Sequence, residues 1–166
     1  MTPQALSDML DFHYWARDRL LDAVEQLTQD QFHQGLGNSF GSVRDTLAHV
    51  VSAESVWCSR WEGNPPSEYL EPADFETVQD LRASWAREEA RVRDFVDRLG
   101  PEGIDRKIQY KHFSGAPMES VFWHMLQHVV NHATFHRGQV TSMLRQLGAE
   151  PAKNQDLITF YRRSSP

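Results

Sequence analysis

Four of the chain's eight histidines recur at four-residue spacing in the stretch 124-HMLQHVVNHATFHRGQ-139. In a helix, each four-residue step turns only about 40° around the axis, so His128, His132 and His136 share one face. Six apolar residues lie within about 80° of His132 on the same helical wheel: Val121, Met125, Val129, Val140, Met143 and Leu147. The pattern predicts a helix whose histidines lie along the middle of its apolar face, inside a bundle core.

Buried imidazoles need partners, because an unpaired buried polar group costs about 1–3 kcal/mol. A shared metal ion is one such partner, and histidine is the commonest metal ligand. The spacing alone leaves the pairs 124/128, 128/132 and 132/136 equivalent and supplies no third ligand. His124, about 80° from His132, also fits a hydrogen-bonded core residue. Gly138 costs about 1 kcal/mol relative to alanine inside a helix, which predicts the close approach of another helix or a ligand.

The composition is that of an ordinary water-soluble protein. The chain has 166 residues, 40% of them hydrophobic, and its 17 basic and 23 acidic residues give a net charge of −6. An acidic balance argues against nucleic acid or an anionic membrane as the main partner. The sequence shows no apolar run of about 20 residues and no signal peptide. The one cysteine, Cys58, excludes an internal disulfide and is more typical of a packed small residue than of a catalytic thiol. We expect a single domain over residues 1–166, located in the cytoplasm.

Four long helical patterns, separated by loops of 13 or more residues, predict an all-α four-helix bundle with long connecting loops. The predicted helices begin at Thr2-Pro3, Ser42, Thr77 and about Ser120, and end near Leu27, before Gly63-Asn-Pro-Pro66, at Gly100-Pro101 and at Leu147-Gly148. Residues 28–41 are predicted to form a loop, and residues 104–118 a short hairpin or an ordered loop. The tail from Asp156 to Tyr161 is apolar enough to dock on the bundle. Long connections mean that the topology need not be simple up-down-up-down.

Histidines also occur on the first two predicted helices. His13 lies on or beside the apolar stripe of the first, where a core or cavity histidine is the favoured interpretation over a ligand. His49 lies on the flank of the second stripe, with Trp57 about 80° around the helix as a candidate pocket wall or core residue. Asp45, one turn before His49, could orient its imidazole or simply cap the helix.

His49 together with two histidines of the long helix would place three neutral imidazoles on one divalent ion. Three protein ligands and an open position are typical of a catalytic zinc site, and the open position would hold water or a thiolate. Nitrogen ligands also suit nickel, copper or iron, so the sequence does not fix the ion. The chain has no His-Glu-x-x-His motif, no paired Glu-x-x-His, and no phosphate-binding or nucleophile-elbow motif.

Several motifs together resemble the DinB/YfiT-like family, and the match spans nearly the whole chain. They are Asn131–Gln139 with its His-x-x-x-His-Arg-Gly-Gln string, Leu144–Gly148, Ser39–His49, Trp57–Gly63 and Trp15–Leu21. The combination of this string with an upstream helical histidine is specific, whereas each half alone is weak. One departure is Arg17, which stands where relatives often have asparagine after Trp-Ala.

The resemblance implies a four-helix bundle with a three-histidine metal site. Carried over by motif, it makes His49, His132 and His136 the ligands of a divalent metal ion, zinc or nickel, and leaves His124 and His128 outside the ligand set. Some relatives transfer or isomerise groups with low-molecular-weight thiols such as mycothiol, bacillithiol or glutathione. The resemblance therefore favours a metal-dependent enzyme, and in particular a thiol-dependent S-transferase, over a hydrolase.

Two further interpretations stay open on the sequence: a non-enzymatic metal-binding or small-ligand-binding stress-response bundle, and a bundle whose histidines are only structural. The partners expected are a small-molecule substrate or thiol and, for assembly, a second copy in a homodimer. Gln139 lies on the ligand face, where it can form hydrogen bonds but cannot act as a base.

Overall fold

The computed structural model describes residues 1–64 and 69–163, and its long helices form a bundle. In chain order the helices are α1 (Pro3–Val24), α2 (Gln29–His33), α3 (Val43–Trp61), α4 (Val78–Leu99), α5 (Phe122–Gln146) and α6 (Leu157–Arg162). Two strands, β1 (Lys107–Lys111) and β2 (Pro117–Val121), precede α5. The predicted all-α bundle with long connections and a hairpin before the last long helix is confirmed.

Side-chain caps fix where three of the long helices begin. The hydroxyls of Thr2, Ser42 and Thr77 each accept a hydrogen bond from a backbone N–H in the first turn. These caps satisfy donors that a helix cannot pair internally, so the three predicted starts are confirmed. The predicted helix stop at Gly63–Pro66 is covered only in part, because Pro65 and Pro66 lie outside the described residues. There α3 gives way to Gly63, whose φ of 75° suits glycine.

The start of α5 was predicted two residues too early. Ser120 lies in β2, and α5 follows Val121 without a side-chain cap. The hairpin fixes this boundary instead, because Val121 pairs with Lys107 and the Phe122 N–H donates to the carbonyl of Arg106. Strand pairing thus occupies the backbone groups that a longer helix would have used.

The prediction of a loop over residues 28–41 is wrong for its first part, which forms α2. Thr28 and Gln31 form a reciprocal capping box at the start of this short helix. Phe32 on α2 is 1% exposed and joins the core around α3. Burial of this one aromatic ring offsets the weak intrinsic stability of a five-residue helix.

Helices that follow one another in the chain are not all neighbours in the bundle. α3 packs against α5 and α4, and α1 packs against the same two helices. α1 and α3 therefore lie on a diagonal, and the connection that contains α2 crosses one end of the bundle. This crossover agrees with the expectation that the topology need not be up-down-up-down. The predicted docking of the tail is confirmed, since Phe160 of α6 packs on Phe12 and Trp15 of α1.

The hairpin lies against α3 and, together with the bundle, shapes the site. Its strands pair antiparallel, with Gln109 opposite Glu119 in the centre. The ring of Tyr110 contacts that of Trp57 on α3, with centroids 5.4 Å apart. The turn between the strands carries Phe113, which is 68% exposed. Aromatic side chains of the hairpin thus extend the surface of α3 beside the histidines.

Cys58 lies in the hydrophobic core, where its thiol is not reactive. Cys58 is fully buried among apolar side chains between α1, α4 and α5. Burial, the main effect, raises the pKa of its thiol to about 12, so the thiolate is not available at neutral pH. The predicted role as a packed small residue is confirmed.

In the described part of the chain, no helix is both long enough and apolar enough to cross a membrane.

Candidate metal centre

Three histidines meet where α3 packs against α5. The Nε2 atom of His132 lies 3.0 Å from Nε2 of His49 and 3.1 Å from Nε2 of His136. All three ligand atoms lie within 4.8 Å of one another. The one-turn spacing of His132 and His136 places them side by side on α5, and the packing of α3 brings His49 to the same point. The structure therefore brings together the three residues that the sequence singled out.

The three Nε2 atoms carry too few hydrogens for each of their close contacts to be a hydrogen bond. The Oε1 atom of Gln139 lies 2.7 Å from Nδ1 of His136. An amide oxygen only accepts, so the Nδ1 of His136 carries the hydrogen and its Nε2 presents a lone pair to the cluster. His132 can donate its single Nε2 hydrogen to only one of its two neighbours. A cation at the centre would satisfy all three lone pairs at once, which is the donor set that a metal ion requires.

The electrostatics keep the three imidazoles neutral. Burial lowers the pKa of His132 to about 4, with further lowering by His136, His49 and His128. Burial and then His136 lower the pKa of His49. Burial lowers the pKa of His136 as well, opposed by its hydrogen bond to Gln139. Neutral imidazole is the form that binds metal, so the site is ready for an ion at neutral pH.

The ring of Phe40, from the loop before α3, orients His49. The two rings stack with centroids 4.0 Å apart and planes 18° apart. The alternative that Asp45 orients His49 is not supported, because the described residues show no hydrogen bond between them. The carboxylate of Asp45 instead accepts from Nε of Arg44 at 2.9 Å. Phe40 was missed by the sequence analysis because a loop aromatic carries no periodic signal.

A pocket of about 300 Å³ opens beside the triad. Its walls include His49 and His132 and the predicted wall residue Trp57. Arg60, Tyr69 and Phe113 line both this pocket and a groove of about 780 Å³ along the hairpin. The sequence analysis did not assign these three to a site, since only the fold brings the hairpin to α3.

The sequence of this chain matches one family of known proteins over nearly its whole length. The sequence model of the DinB family matches residues 1–161. The chain belongs to the DinB family. It is 26% identical over 147 residues to Protein DinB of Bacillus subtilis (strain 168), with 84% of each chain covered. The resemblance seen in the sequence is confirmed.

Two solved structures of DinB proteins share the fold. A DinB-like protein from Bacillus cereus ATCC 10987 matches with a TM-score of 0.73 at 17% identity, over 92% of this chain and 97% of that one. A DinB family member from Shewanella denitrificans matches with a TM-score of 0.60 at 16% identity, over 93% of this chain and 88% of that one. At these identities the matches establish the bundle architecture for this DinB chain.

The prediction that the histidines lie along the middle of the buried face of α5 is wrong. His136 is 5% exposed, but His124 and His128 are exposed. The buried face also includes Leu126, Ala133 and Leu144, each about 100–120° from His132 on the wheel. These residues move the centre of that face away from the histidines, which form its edge toward α3. His128 nevertheless lines the pocket, 5.3 Å from the ring of Trp57.

Two other expectations on this family's motif residues need correction or comment. The predicted close approach of another helix at Gly138 is wrong, because an added Cβ would meet no atom of the described residues within 4 Å, while the alternative of a ligand stays a prediction. Arg17, the departure from the family pattern, is 6% exposed and bridges α1 and α4 through an ion pair with Glu89 of 2.7 Å. Arg17 does not line the pocket at the triad.

A buried carboxylate in the bundle centre was missed by the sequence analysis. Glu54 of α3 is 1% exposed and accepts hydrogen bonds from Tyr14 at 2.7 Å, Trp85 at 2.9 Å and Nε2 of His13 at 3.0 Å. Burial alone would raise the pKa of Glu54, but His13 and the three hydrogen bonds together hold it below its ordinary value. The favoured interpretation of His13 as a core histidine is confirmed. The signal for Glu54 was its place in the apolar stripe of α3, one turn after Val50.

Proposed function

We propose that His49, His132 and His136 bind one divalent metal ion, zinc or nickel, and that the protein is a metal-dependent enzyme. The observation that carries this proposal is the convergence of three Nε2 atoms with too few hydrogens to satisfy them. Structural zinc sites in proteins are usually closed by four protein ligands, whereas catalytic sites keep one position open. A three-histidine set beside a pocket matches the second type.

The pocket favours a thiol-dependent S-transferase. A bound divalent ion would lower the pKa of a thiol or a water at the open position. A thiol needs less help, because its reference pKa is already about 8.5. Among the described lining residues of the pocket no carboxylate is present to act as a base, and the walls are largely aromatic and apolar. In this proposal the walls bind a small thiol, and its electrophilic co-substrate occupies the adjoining groove.

A metal-dependent hydrolase is the second candidate, and one observation favours it. His128 lines the pocket beside His132 and is exposed, so its imidazole is free of the triad and can accept a proton. General-base catalysis by histidine contributes about 10²–10⁴-fold to a rate. Replacement of His128 by asparagine would abolish hydrolysis by this route and leave a thiol transfer largely unchanged.

The proposal is tested first by elemental analysis of protein purified without an affinity tag. We expect about one divalent ion per chain, and none retained after dialysis of the His132→Ala variant. His124→Ala is the matched control, since it removes an exposed histidine two turns away on the same helix. Tight metal retention by His132→Ala would refute the ligand assignment.

The transferase is tested with cobalt-substituted protein. Glutathione, mycothiol and bacillithiol are titrated in turn, and sulfur ligation is read from a new charge-transfer band. Turnover is then measured with an alkyl bromide, in which the sulfur forms a carbon–sulfur bond, bromide leaves and the thiol proton is released. Absence of a spectral change with all three thiols, while cobalt stays bound, would leave the hydrolase or a non-enzymatic metal-binding protein as the function.

A further inference from the structure

Arg60 of α3 is a buried cation that has no anion among the described residues. Its side chain is 7% exposed, and its guanidinium carbon lies 4.6 Å from the ring centre of Trp57 and 4.6 Å from that of Phe113. Within residues 1–64 and 69–163, no carboxylate forms an ion pair with Arg60 and its guanidinium donates no hydrogen bond. Buried charges in proteins are normally paired, so this arrangement needs an explanation.

One other buried arginine shows the usual arrangement, since Arg17 forms ion pairs with Asp18 and Glu89. Arg137 has no ion pair in the described part of the chain, but it donates a hydrogen bond to the hydroxyl of Thr134 at 2.7 Å. Burial lowers the pKa of Arg60 from its ordinary value, which reflects the cost of keeping that charge away from water. The aromatic rings recover part of this cost through cation–π contacts, but the described residues provide no acceptor for the N–H groups.

Arg60 and the triad belong to one cavity. Arg60 lines the 300 Å³ pocket together with His49 and His132. Along α3, Arg60 follows His49 by 11 residues, which is about 16 Å of helix rise. Helical side chains lean toward the N-terminus of their helix, and the guanidinium of Arg60 lies against Trp57, one turn closer to His49. The long side chain of Arg60 extends further in this direction than the imidazole of His49 does. A small elongated molecule can therefore reach both ends.

We propose that Arg60 binds a carboxylate of the substrate, whose other end reaches the triad. This inference rests on the proposed function and specifies its substrate class: an elongated monoanion with a carboxylate at one end and a metal-binding group, such as a thiol, at the other. The guanidinium of Arg60 donates to no described group, and its planar N–H fork matches a carboxylate with two parallel hydrogen bonds. One cation balances one negative charge.

The test uses two thiols that differ only at the far end, 6-mercaptohexanoate and 6-mercapto-1-hexanol. Binding to the cobalt-substituted protein is followed by the sulfur charge-transfer band. We expect the carboxylate to bind about tenfold to hundredfold more tightly, the range for a charge-assisted hydrogen bond. Arg60→Gln should abolish this preference, and Arg60→Lys should retain part of it. Arg87→Gln, which removes an exposed arginine of α4, should keep the full preference.

The outcomes separate this inference from the metal proposal. Equal binding of the two thiols by the unmodified protein would overturn the role of Arg60, even with the metal site intact. If neither thiol changes the spectrum, a metal-free measurement decides: hexanoate should raise the melting temperature of the unmodified protein but not that of Arg60→Gln. No stabilisation by hexanoate overturns the inference. Stabilisation by inorganic phosphate at lower concentration than hexanoate overturns the carboxylate assignment.

Discussion

The two polar clusters of α3 lie only five residues apart and differ in how their hydrogen-bonding groups are satisfied. Glu54 receives three donors, from His13, Tyr14 and Trp85, in the closed centre of the bundle. His49 instead faces two other imidazole nitrogens at the edge of a pocket. Both clusters bury polar atoms in the same helix bundle. In the first, every described contact to Glu54 is a hydrogen bond and only Nδ1 of His13 is left without a partner, whereas in the second the three converging nitrogens face one another with too few hydrogens.

This difference distinguishes a structural polar cluster from the proposed metal site. A buried carboxylate that accepts three hydrogen bonds is internally complete and needs nothing further from solvent. Three converging imidazoles are incomplete in the protein alone, because their neutral forms offer too few donors. Internal completeness predicts a contribution to stability, and incompleteness predicts a contribution to binding.

The largest effect is expected at Glu54. Glu54→Gln replaces an acceptor-only group by an amide, whose NH₂ group faces buried donors in the bundle centre. Breaking a buried charge cluster of this kind costs about 3–5 kcal/mol. For a chain of this length the melting temperature should fall by roughly 10 °C, measured by circular dichroism or calorimetry.

The control for this prediction is Glu150→Gln, at an exposed position, which should shift the melting temperature little. Metal content of the Glu54→Gln protein should stay near that of the unmodified protein as long as it is folded. Loss of metal without loss of stability would instead connect Glu54 to the histidine triad and remove the distinction between the two clusters.

The fold could be predicted well because it depends on local patterns. Caps at Thr2, Ser42 and Thr77 and apolar stripes of period 3.6 are readable from neighbouring residues. The short helix α2 was also readable from the pair Thr28 and Gln31, but a loop rich in glycine obscured it. The crossing connection could not be predicted, because helix order around a bundle depends on packing between distant segments.

The site was predicted only in part for a similar reason. Spacing predicted that a pair of histidines on one helix binds the ion, but the choice of His132 and His136, together with His49, came from the family motif. Glu54 interrupts the apolar stripe of α3, but its partners lie on α1 and α4, about 30 to 40 residues away in sequence. The position of the histidines on α5 was predicted wrongly because the helical wheel included only apolar residues close to His132 and left out residues such as Leu126.

Removal of the metal should have the next largest effect. An ion bound only by the folded protein stabilises it by about 2.7 kcal/mol when its free concentration is a hundred times the dissociation constant. A chelator should therefore lower the melting temperature at pH 7.5. The same chelator should leave His132→Ala unchanged, and this comparison is the control.

The pH dependence follows from the lowered pKa values. An unfolded histidine titrates near 6.5, whereas burial lowers the pKa of His132 in the metal-free fold to about 4. As the pH falls below 6.5 the unfolded chain gains protons first, so the metal-free fold loses stability between 6.5 and the lowered pKa values. In the folded protein, protons compete with metal only as the pH approaches the lowered pKa values, so the chelator effect should persist below 6.5 and fade toward pH 4. An effect that stays unchanged below pH 4 would argue that the imidazoles are not the ligands.

A smaller effect is expected at Gln139. Gln139→Ala removes the acceptor of the His136 Nδ1 hydrogen, so that ring no longer has a fixed tautomer or orientation. Loss of such a supporting contact typically weakens metal binding about 10–100-fold. Competition with a chelating indicator measures this change, and Gln139→Glu should preserve binding because a carboxylate also accepts that hydrogen. Unchanged affinity in Gln139→Ala would mean that packing alone, such as the stack of Phe40 on His49, holds the rings.

The smallest predicted effect has the opposite sign and lies two residues from a proposed ligand. Gly138 lies inside α5 without a positive φ, and a Cβ added there meets no atom within 4 Å in the described parts of the chain. Gly138→Ala should therefore stabilise the metal-free protein by about 0.5–1 kcal/mol, because alanine restricts the unfolded chain and favours the helix. Metal affinity should not change, since the added methyl group points away from the triad into open space. Chemical denaturation measures the first quantity and the indicator competition the second. A stabilised fold with weakened metal binding would show that the triad needs local flexibility of α5, and the site would then be less rigid than the Glu54 cluster beside it.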